Sequence, residues 1–410
     1  MIDTDEGGRQ MVNGERARST TKSGGTTRTA NKKPTPRKKA TTNRSVANVA
    51  DPAFVQLLTP DGERVEHPDY TVDFTDQEYR DLYRDLAIVR RLDTEGTTLQ
   101  RQGQLGIWAS LAGQEAAQIG SGRALAAQDM VFPTYREHGV LWTRDIDPIM
   151  PFGLFRGIDL GGWDAQKYRF QGYTIVIGAQ TLHATGYAMG ITKDGKVGTD
   201  DGEAVIAYFG DGAISQGDVN EAFIYAAAYD APVVFFCQNN QYAISVPVHK
   251  QAKTPLFKRA DGFGFPGVRV DGNDVLATYA VTKEAMDRAR HGQGPGLIEA
   301  FTYRMGAHTT TDDPTRYRDK SEEEEWRLKD PIARMRGFLE KQQIGDGDFF
   351  AAIDAEADEH ALDLRERVLS MPEPKPSAIF DHVYPNGSPL LDAERAEFVA
   401  YQESFEGSGH

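Results

Sequence analysis

The feature that most restricts the fold is the stretch 203–248, EAVIAYFGDGAISQGDVNEAFIYAAAYDAPVVFFCQNNQYAISVPV. Residues 204–209 form a short apolar run of β-forming residues, of the kind buried in a parallel sheet. Gly210-Asp211-Gly212 ends it sharply. Residues 217–229 are long enough for a crossover helix, and Asp218 near the start suits the positive end of the helix dipole. Residues 232–237 are a second apolar run, closed by Asn239-Asn240. Parallel strands joined by helical crossovers place ligands outside the carboxyl ends of the strands. Asp211 and Asn240 both lie just past such ends, 29 residues and one strand–helix–strand circuit apart. Their side chains are therefore expected to converge. A carboxylate and an amide oxygen are hard ligands suited to Mg²⁺, which takes few protein groups alongside phosphate oxygens. The small turn residues let the backbone approach a diphosphate, and the helix start faces the anion. A lone Gly-Asp-Gly is equally a surface turn; the Asn pair at this spacing carries the signal.

The rest of the chain repeats the alternation. Residues 54–65 read as a short strand and turn at Pro60-Asp61-Gly62. Thr75 with Glu78 forms a capping box for a helix whose apolar positions (Tyr79, Leu82, Tyr83, Leu86, Val89) keep helical spacing to about Arg101. A helix is expected over 114–127, an apolar segment over 173–180 running into a small-residue helix at 181–190, and a basic, mobile segment over 249–260. Strands are expected at 268–270 and 297–303, with a helix over 274–290 between them. Residues 321–343 read as one charged amphipathic helix. Gly262 to Gly267 matches a dinucleotide-binding pattern, but no strand precedes it and Pro266 suits a loop better. The pattern predicts an α/β fold with a doubly wound, mostly parallel sheet.

The chain's 410 residues suffice for a large core. Net charge is −15, yet residues 1–50 hold eleven Lys and Arg against four Asp and Glu, so this stretch carries +7 and the remainder −22. It has almost no large apolar residues and is expected to be a disordered basic tail. Asp3, Asp5 and Glu6 speak against a transit peptide, and there is no apolar core for a secretory signal. The α/β body is expected over 51–345, with a helical extension over 346–410 packing on the core or a partner. An acidic body argues against nucleic acid as main partner. Cys237 is the only cysteine, which excludes an intrachain disulfide and a Cys-based zinc site; its place in the second strand suits a core thiol. No apolar run reaches membrane-spanning length, so a cytoplasmic protein with no membrane partner is expected.

Gly-Asp-Gly followed by Asn-Asn at this spacing resembles the signature of the thiamine-diphosphate enzymes. Tyr135-Arg136 with Glu137-His138-Gly139 resembles the Tyr-Arg-x-x-Gly segment of the 2-oxo acid dehydrogenase alpha subunits, and residues 303–318 (YRMGAHTTTDDPTRYR) resemble their active-site loop. The similarity covers roughly residues 54–400. It extends to RVDGNDV and KPSAIFDHVY on the branched-chain side and to Gln114-Glu115 on the bacterial pyruvate side. It implies the thiamine-diphosphate-binding fold, with Gly210, Asp211, Gly212, Ala213, Asn240 and Tyr242 at the cofactor. Asp211, Asn240 and Tyr242 are then expected on Mg²⁺, Tyr135 and Arg136 on the diphosphate, and Ile175 and Ile177 around the pyrimidine. Both isoleucines read equally well as plain core. For Arg136 the competing reading is a surface salt bridge with Glu137 or Asp145. His308 is expected to contact the diphosphate and assist acyl transfer, while His138 reads as structural. Gln238 stands where animal branched-chain relatives carry an Arg on the diphosphate, so one cation is missing. Ile175 and Ala179 replace the Ser and Thr that bind potassium in some relatives.

The resemblance further implies decarboxylation of a 2-oxo acid, branched-chain or pyruvate, with acyl transfer to lipoamide. The family's glutamate beside the pyrimidine comes from a beta subunit. The chain is thus expected to be half of an active site, working as an alpha-2 beta-2 assembly with a lipoylated acyltransferase core. Two other readings compete: an acetoin dehydrogenase alpha subunit, and a non-catalytic alpha-like scaffold.

Overall fold

Six parallel strands form the central sheet of the computed structural model, which describes residues 54–159, 162–199, 201–381 and 383–406. The strands are β1 (Phe54–Val55), β2 (Met130–Phe132), β3 (Val205–Gly210), β4 (Val233–Asn239), β5 (Gly267–Asp271) and β6 (Gly296–Phe301). Their spatial order is β1-β5-β6-β4-β3-β2. In register, Gly210 lies beside Gln238, and Asn239 beside Phe301, so β3, β4 and β6 end level with one another. The tail expected over residues 1–50 lies outside the described residues.

Helices cover both faces: α1 (Asp76–Arg101), α2 (Glu115–Arg123), α3 (Ala179–Lys193), α4 (Gly217–Ala228) and α5 (Val275–Arg290). Alternate strand residues feed two separate cores, as the two-residue period of a strand requires. Ile206, Tyr208, Val234, Phe236 and Ile298 pack with α1, α2 and α5. Val205, Ala207, Phe209, Val233, Phe235, Cys237 and Leu297 pack with α3 and α4. Burial on both faces explains why these strands read as unbroken apolar runs. Each fully buried Phe in them contributes about 1.5–3 kcal/mol.

Caps fix where the helices begin. Thr75 accepts from the Glu78 backbone while the Glu78 carboxylate accepts from the Thr75 N–H, the expected capping box. Asp274 accepts from Leu276 and Ala277 to start α5, and its other oxygen accepts from Leu57 and Leu58, pinning the segment that follows β1.

The structure corrects several expectations. The helix expected over 321–343 is two, Lys320–Arg327 and Pro331–Gln342. Pro331 has no N–H for the preceding turn, and Asp330 caps the second helix from outside. The apolar segment 173–180 is no core strand: Ile175, Val176 and Ile177 are 65, 70 and 41 % exposed. The basic segment after Val248 folds into helical turns, Val248–Gln251 and Leu256–Lys258. The Gly262–Gly267 pattern runs through the end of a short helix, Arg259–Phe263, into a strand. That order is the reverse of a dinucleotide fingerprint. In the C-terminal part, α6 (Gly347–Leu369) lies along α1, burying Ala357, Leu364 and Val368 with Ile88, Leu92 and Leu99. The last helix, Pro389–Glu406, meets the turn Pro376–Phe380 through an edge contact of Phe398 on Phe380. Among the described residues no helix is long and apolar enough to cross a membrane.

Candidate functional site

Four neighbouring strands, β6, β4, β3 and β2, each end in a loop that carries one of the expected site residues. His308 follows β6, Asn240 follows β4, Asp211 follows β3, and Tyr135-Arg136 follow β2. All of them line one cavity of about 260 Å³, together with Gly210, Gly212, Ala213, Tyr242 and Ile177. Ile175 stands outside the lining and is exposed.

After β3 the chain turns at Asp211–Ser215 in a tight 3-10 turn. A Cβ on Gly212 would meet the Ala243 Cβ at 2.6 Å, so only glycine lets the turn approach the small hairpin Tyr242–Ala243/Val246–Pro247. Asp211 is buried; one carboxylate oxygen accepts from Gln251 Nε2 at 3.1 Å, and no cation pairs with it among the described residues. Burial pushes its carboxyl up to about 7, partly offset by the Gln251 bond and the Arg304 charge.

The two asparagines do different work. Asn239 donates to Glu299 Oε1 (2.7 Å) and ties β4 to β6. Asn240 donates to Gln114 Oε1 (3.1 Å), and its Oδ1 accepts from the Tyr242 N–H (3.4 Å). The Tyr242 phenol donates to Glu322 (2.7 Å), while its carbonyl accepts from Arg304 Nη1 (2.9 Å). Any metal contact from Tyr242 therefore falls to the second lone pair of that carbonyl. Gln241 and Ile244 hold positive φ, 73° and 54°, in this segment. Such non-glycine outliers cluster where surrounding structure forces a particular shape.

Arg136 is buried and forms no ion pair with Glu137 or Asp145. Its guanidinium donates to the carbonyls of Ser110 and His308 and lies 3.3 Å from His308 Nδ1. A guanidinium only donates, so Nδ1 is the acceptor and Nε2 carries the ring proton. Burial, then the charges of Arg136 and Arg304, lower the His308 pKa to about 4. The ring is neutral at physiological pH and presents an N–H donor. Tyr135 meets the His308 ring edge-on at 6.2 Å.

Glu137 is buried, and its oxygens are taken by Thr134 and by Gln238 Nε2 (2.6 Å). Gln238 also accepts from Gln118. The missing arginine thus leaves a network in which Glu137 and Gln238 are both hydrogen-bonded. The second cation comes from Arg304, buried, with donors on the Tyr242 and Ile244 carbonyls and the Tyr317 phenol. Sequence reasoning assigned no role to Arg304, Gln114 or Glu137. For Arg304 its place just past a strand end and for Glu137 its place beside Tyr135-Arg136 was the available signal; Gln114, at a helix start, offered none. His138 is structural in its contacts: it bonds the Tyr173 phenol and the Ala109 carbonyl and stacks on Trp108.

The donor set fits a diphosphate with a hard divalent ion. Two buried guanidiniums, Arg136 and Arg304, have no carboxylate partner among the described residues, a costly state that an anion relieves. One buried carboxylate, Asp211, has no cation, and Gln114 Nε2 is a buried donor with no acceptor. No cluster of three His, Cys, Asp or Glu able to hold a metal is found among the described residues. Mg²⁺ needs none, since it shares phosphate oxygens with one or two protein ligands.

An anion-and-cation cleft across the carboxyl ends of adjacent parallel strands defines a diphosphate-binding α/β protein, with its pocket at the sheet edge where such folds bind ligands. The chain belongs to the dehydrogenase E1 component family, whose pattern matches residues 83–377. It is 43 % identical over 347 residues to the 3-methyl-2-oxobutanoate dehydrogenase subunit alpha of Mycobacterium tuberculosis, covering 84 % of this chain and 93 % of that one. It is also 43 % identical over 297 residues to the pyruvate dehydrogenase E1 component subunit alpha of Staphylococcus aureus (72 % and 79 % covered). The Bacillus subtilis protein of that name is 38 % identical over 351 residues (85 % and 93 %). Family membership implies thiamine diphosphate as the cofactor, and the relatives' designation as alpha subunits implies a beta partner.

Proposed function

We propose that this chain is the alpha subunit of the decarboxylating component of a 2-oxo acid dehydrogenase complex. It acts on branched-chain 2-oxo acids or pyruvate with thiamine diphosphate and Mg²⁺, and passes the acyl group to lipoamide on an acyltransferase core. The observation that carries the reading is the convergence of Asp211, Asn240, Arg136 and His308 on one cavity from four adjacent strand ends.

Thiamine diphosphate, when bound, supplies the carbon that takes over the electrons of the departing carboxylate. The residues of this chain hold its charged end. Arg136 and Arg304 neutralise the diphosphate, and Gly212 lets the backbone come close. Asp211, Asn240 and the Tyr242 carbonyl hold Mg²⁺. His308, held neutral, offers its Nε2–H as a hydrogen-bond donor to a diphosphate oxygen and assists acyl transfer as a donor that keeps its proton. Ile177 lines the mouth of the cavity, where the ring portion would lie. Among the described residues the only carboxylates in the lining are Asp211 and Glu137, and both are committed to the roles above. The acid needed beside the ring is in this reading the partner's, in keeping with an alpha-2 beta-2 assembly.

The test is reconstitution with the beta subunit and assay against pyruvate, 3-methyl-2-oxobutanoate and acetoin. Oxidative decarboxylation of a 2-oxo acid by the pair, and none by the isolated chain, is expected. Activity confined to acetoin, or robust turnover by the chain alone, overturns the reading. Asp211→Ala in the assembled pair is expected to abolish Mg²⁺-dependent cofactor binding.

A further inference from the structure

Gln114 is 1 % exposed and lines the cavity, yet half of its amide has no partner. Its orientation is fixed by a chain of bonds that starts from an unambiguous donor. The Tyr242 backbone N–H can only donate, so the Asn240 oxygen faces it (3.4 Å). Asn240 Nδ2 therefore points to Gln114, which must present its oxygen (3.1 Å). Gln114 Nε2 is left as a buried donor with no acceptor in the protein.

The backbone under Gln114 is held firmly. Gly113, at φ 92°, sits so close to Tyr303 that a Cβ would lie 2.3 Å from its carbonyl oxygen. The Gly113 N–H donates to Glu115 (2.9 Å), and its carbonyl accepts from Thr302 Oγ1 (2.8 Å). Glu115 is fully buried and paired with Arg90, which also reaches Asp330 (3.0 Å). An amide held this way neither swings to solvent nor turns over without breaking the bond to Asn240.

We propose that Gln114 is a two-sided positioning and binding residue, whose oxygen locks the Asn240 amide in its metal-binding orientation and whose Nε2 donates to a diphosphate oxygen of the cofactor. The acceptor it lacks is an oxygen in a cavity already lined by two unpaired guanidiniums, where an anion is the group that fits. This rests on the functional reading above and adds a residue to it.

Two substitutions separate the two sides. In the chain assembled with its beta subunit, Q114E keeps an oxygen for Asn240 and loses the donor. Thiamine diphosphate binding, followed by calorimetry, is expected to weaken at least about 10-fold, from the lost hydrogen bond together with the carboxylate placed beside the diphosphate. The Mg²⁺ concentration for half-saturation is not raised. Q114M loses both functions, so cofactor binding weakens and the Mg²⁺ requirement rises, because the Asn240 amide is free to turn. Q114E binding cofactor as tightly as wild type overturns the inference alone. A wild-type assembly that takes up no thiamine diphosphate overturns it together with the functional reading. Should the variants fail to assemble, a crystal structure of the wild-type holo assembly decides. Nε2 within about 3.2 Å of a diphosphate oxygen supports the inference, and Nε2 on a water or on no acceptor overturns it.

Discussion

His138 shows how a single buried side chain contributes to the acid sensitivity of the fold. Burial lowers its pKa from about 6.5 to about 3, and its two nitrogens are engaged by Tyr173 and Ala109. The unfolded chain binds a proton there below pH 6.5, whereas the folded chain does not until about pH 3. Stability tied to this residue is therefore complete above pH 6.5 and is lost as the pH falls toward 3, by about 1.4 kcal/mol per unit. His308, with its pKa lowered to about 4, adds a similar slope over a narrower window. Asp211, its carboxyl raised to about 7, binds its proton first in the folded chain and offsets about one such slope between pH 7 and 4. Urea unfolding between pH 7 and pH 4 is expected to show this decline. H138Q is expected to be less stable at pH 7.5 but to have a visibly shallower slope; an unchanged slope would remove His138 as the cause. At this scale Asp211 and Arg136 stood out through the patterns around them, Gly-Asp-Gly with Asn-Asn and Tyr-Arg-x-x-Gly, since either residue alone had a second reading, and both line the cavity. Glu115 and Gln114 were not, since at the start of a helix they resemble ordinary surface residues. Their burial depends on Arg90, Asp330 and Asn240, distant in the chain and near only after folding.

Among the elements, the turn after β3 and the hairpin after β4 form one fitted pair. The Gly212 position has no room for a methyl group because Ala243 occupies it, 2.6 Å away. G212A must push the hairpin and the Asn240 backbone outward. Cofactor affinity is expected to fall at least tenfold, while the melting temperature changes by a few degrees at most. A243G opens the same space, so the double variant G212A/A243G is expected to recover most of the affinity; no recovery would show that the contact is not the cause. The strands and helices around this pair were legible because double burial leaves unbroken apolar runs and because Thr75 and Asp274 are plain caps. Residues 173–178 were less so. An apolar run looks the same whether it covers its own core or a neighbour's surface, and here it is exposed. The break at Asp330-Pro331 was written in the sequence, but the charge pattern on either side continues through it and hides it.

At the level of the molecule, exposed apolar side chains gather in segments that bear on assembly. Ile175, Val176 and Ile177 stand beside Ile244 and Val246 among the large exposed hydrophobics, and Ile177 and Ile244 line the cavity. A second set, Ile379, Val383, Tyr384, Leu390, Tyr401 and Phe405, lies on the C-terminal turn and helix. Exposed apolar side chains concentrated in a few segments point to contact with another protein. V176D replaces a side chain 70 % exposed, so the isolated chain is expected to keep its far-ultraviolet spectrum and melting temperature. Assembly with the beta subunit, followed by size-exclusion chromatography, is expected to be lost. Normal assembly would exclude this segment from the contact.

The position of Ile177 and Ile244, in the lining and at the surface at once, has a kinetic consequence. A subunit seated on these two residues would cover the side of the cavity that they line. Residence then becomes a property of the assembly and not of the individual bonds: cofactor leaves when the subunits part. Isotopically labelled thiamine diphosphate should exchange into the holo assembly no faster than labelled alpha chain does, and dilution that loosens the subunits should speed both together.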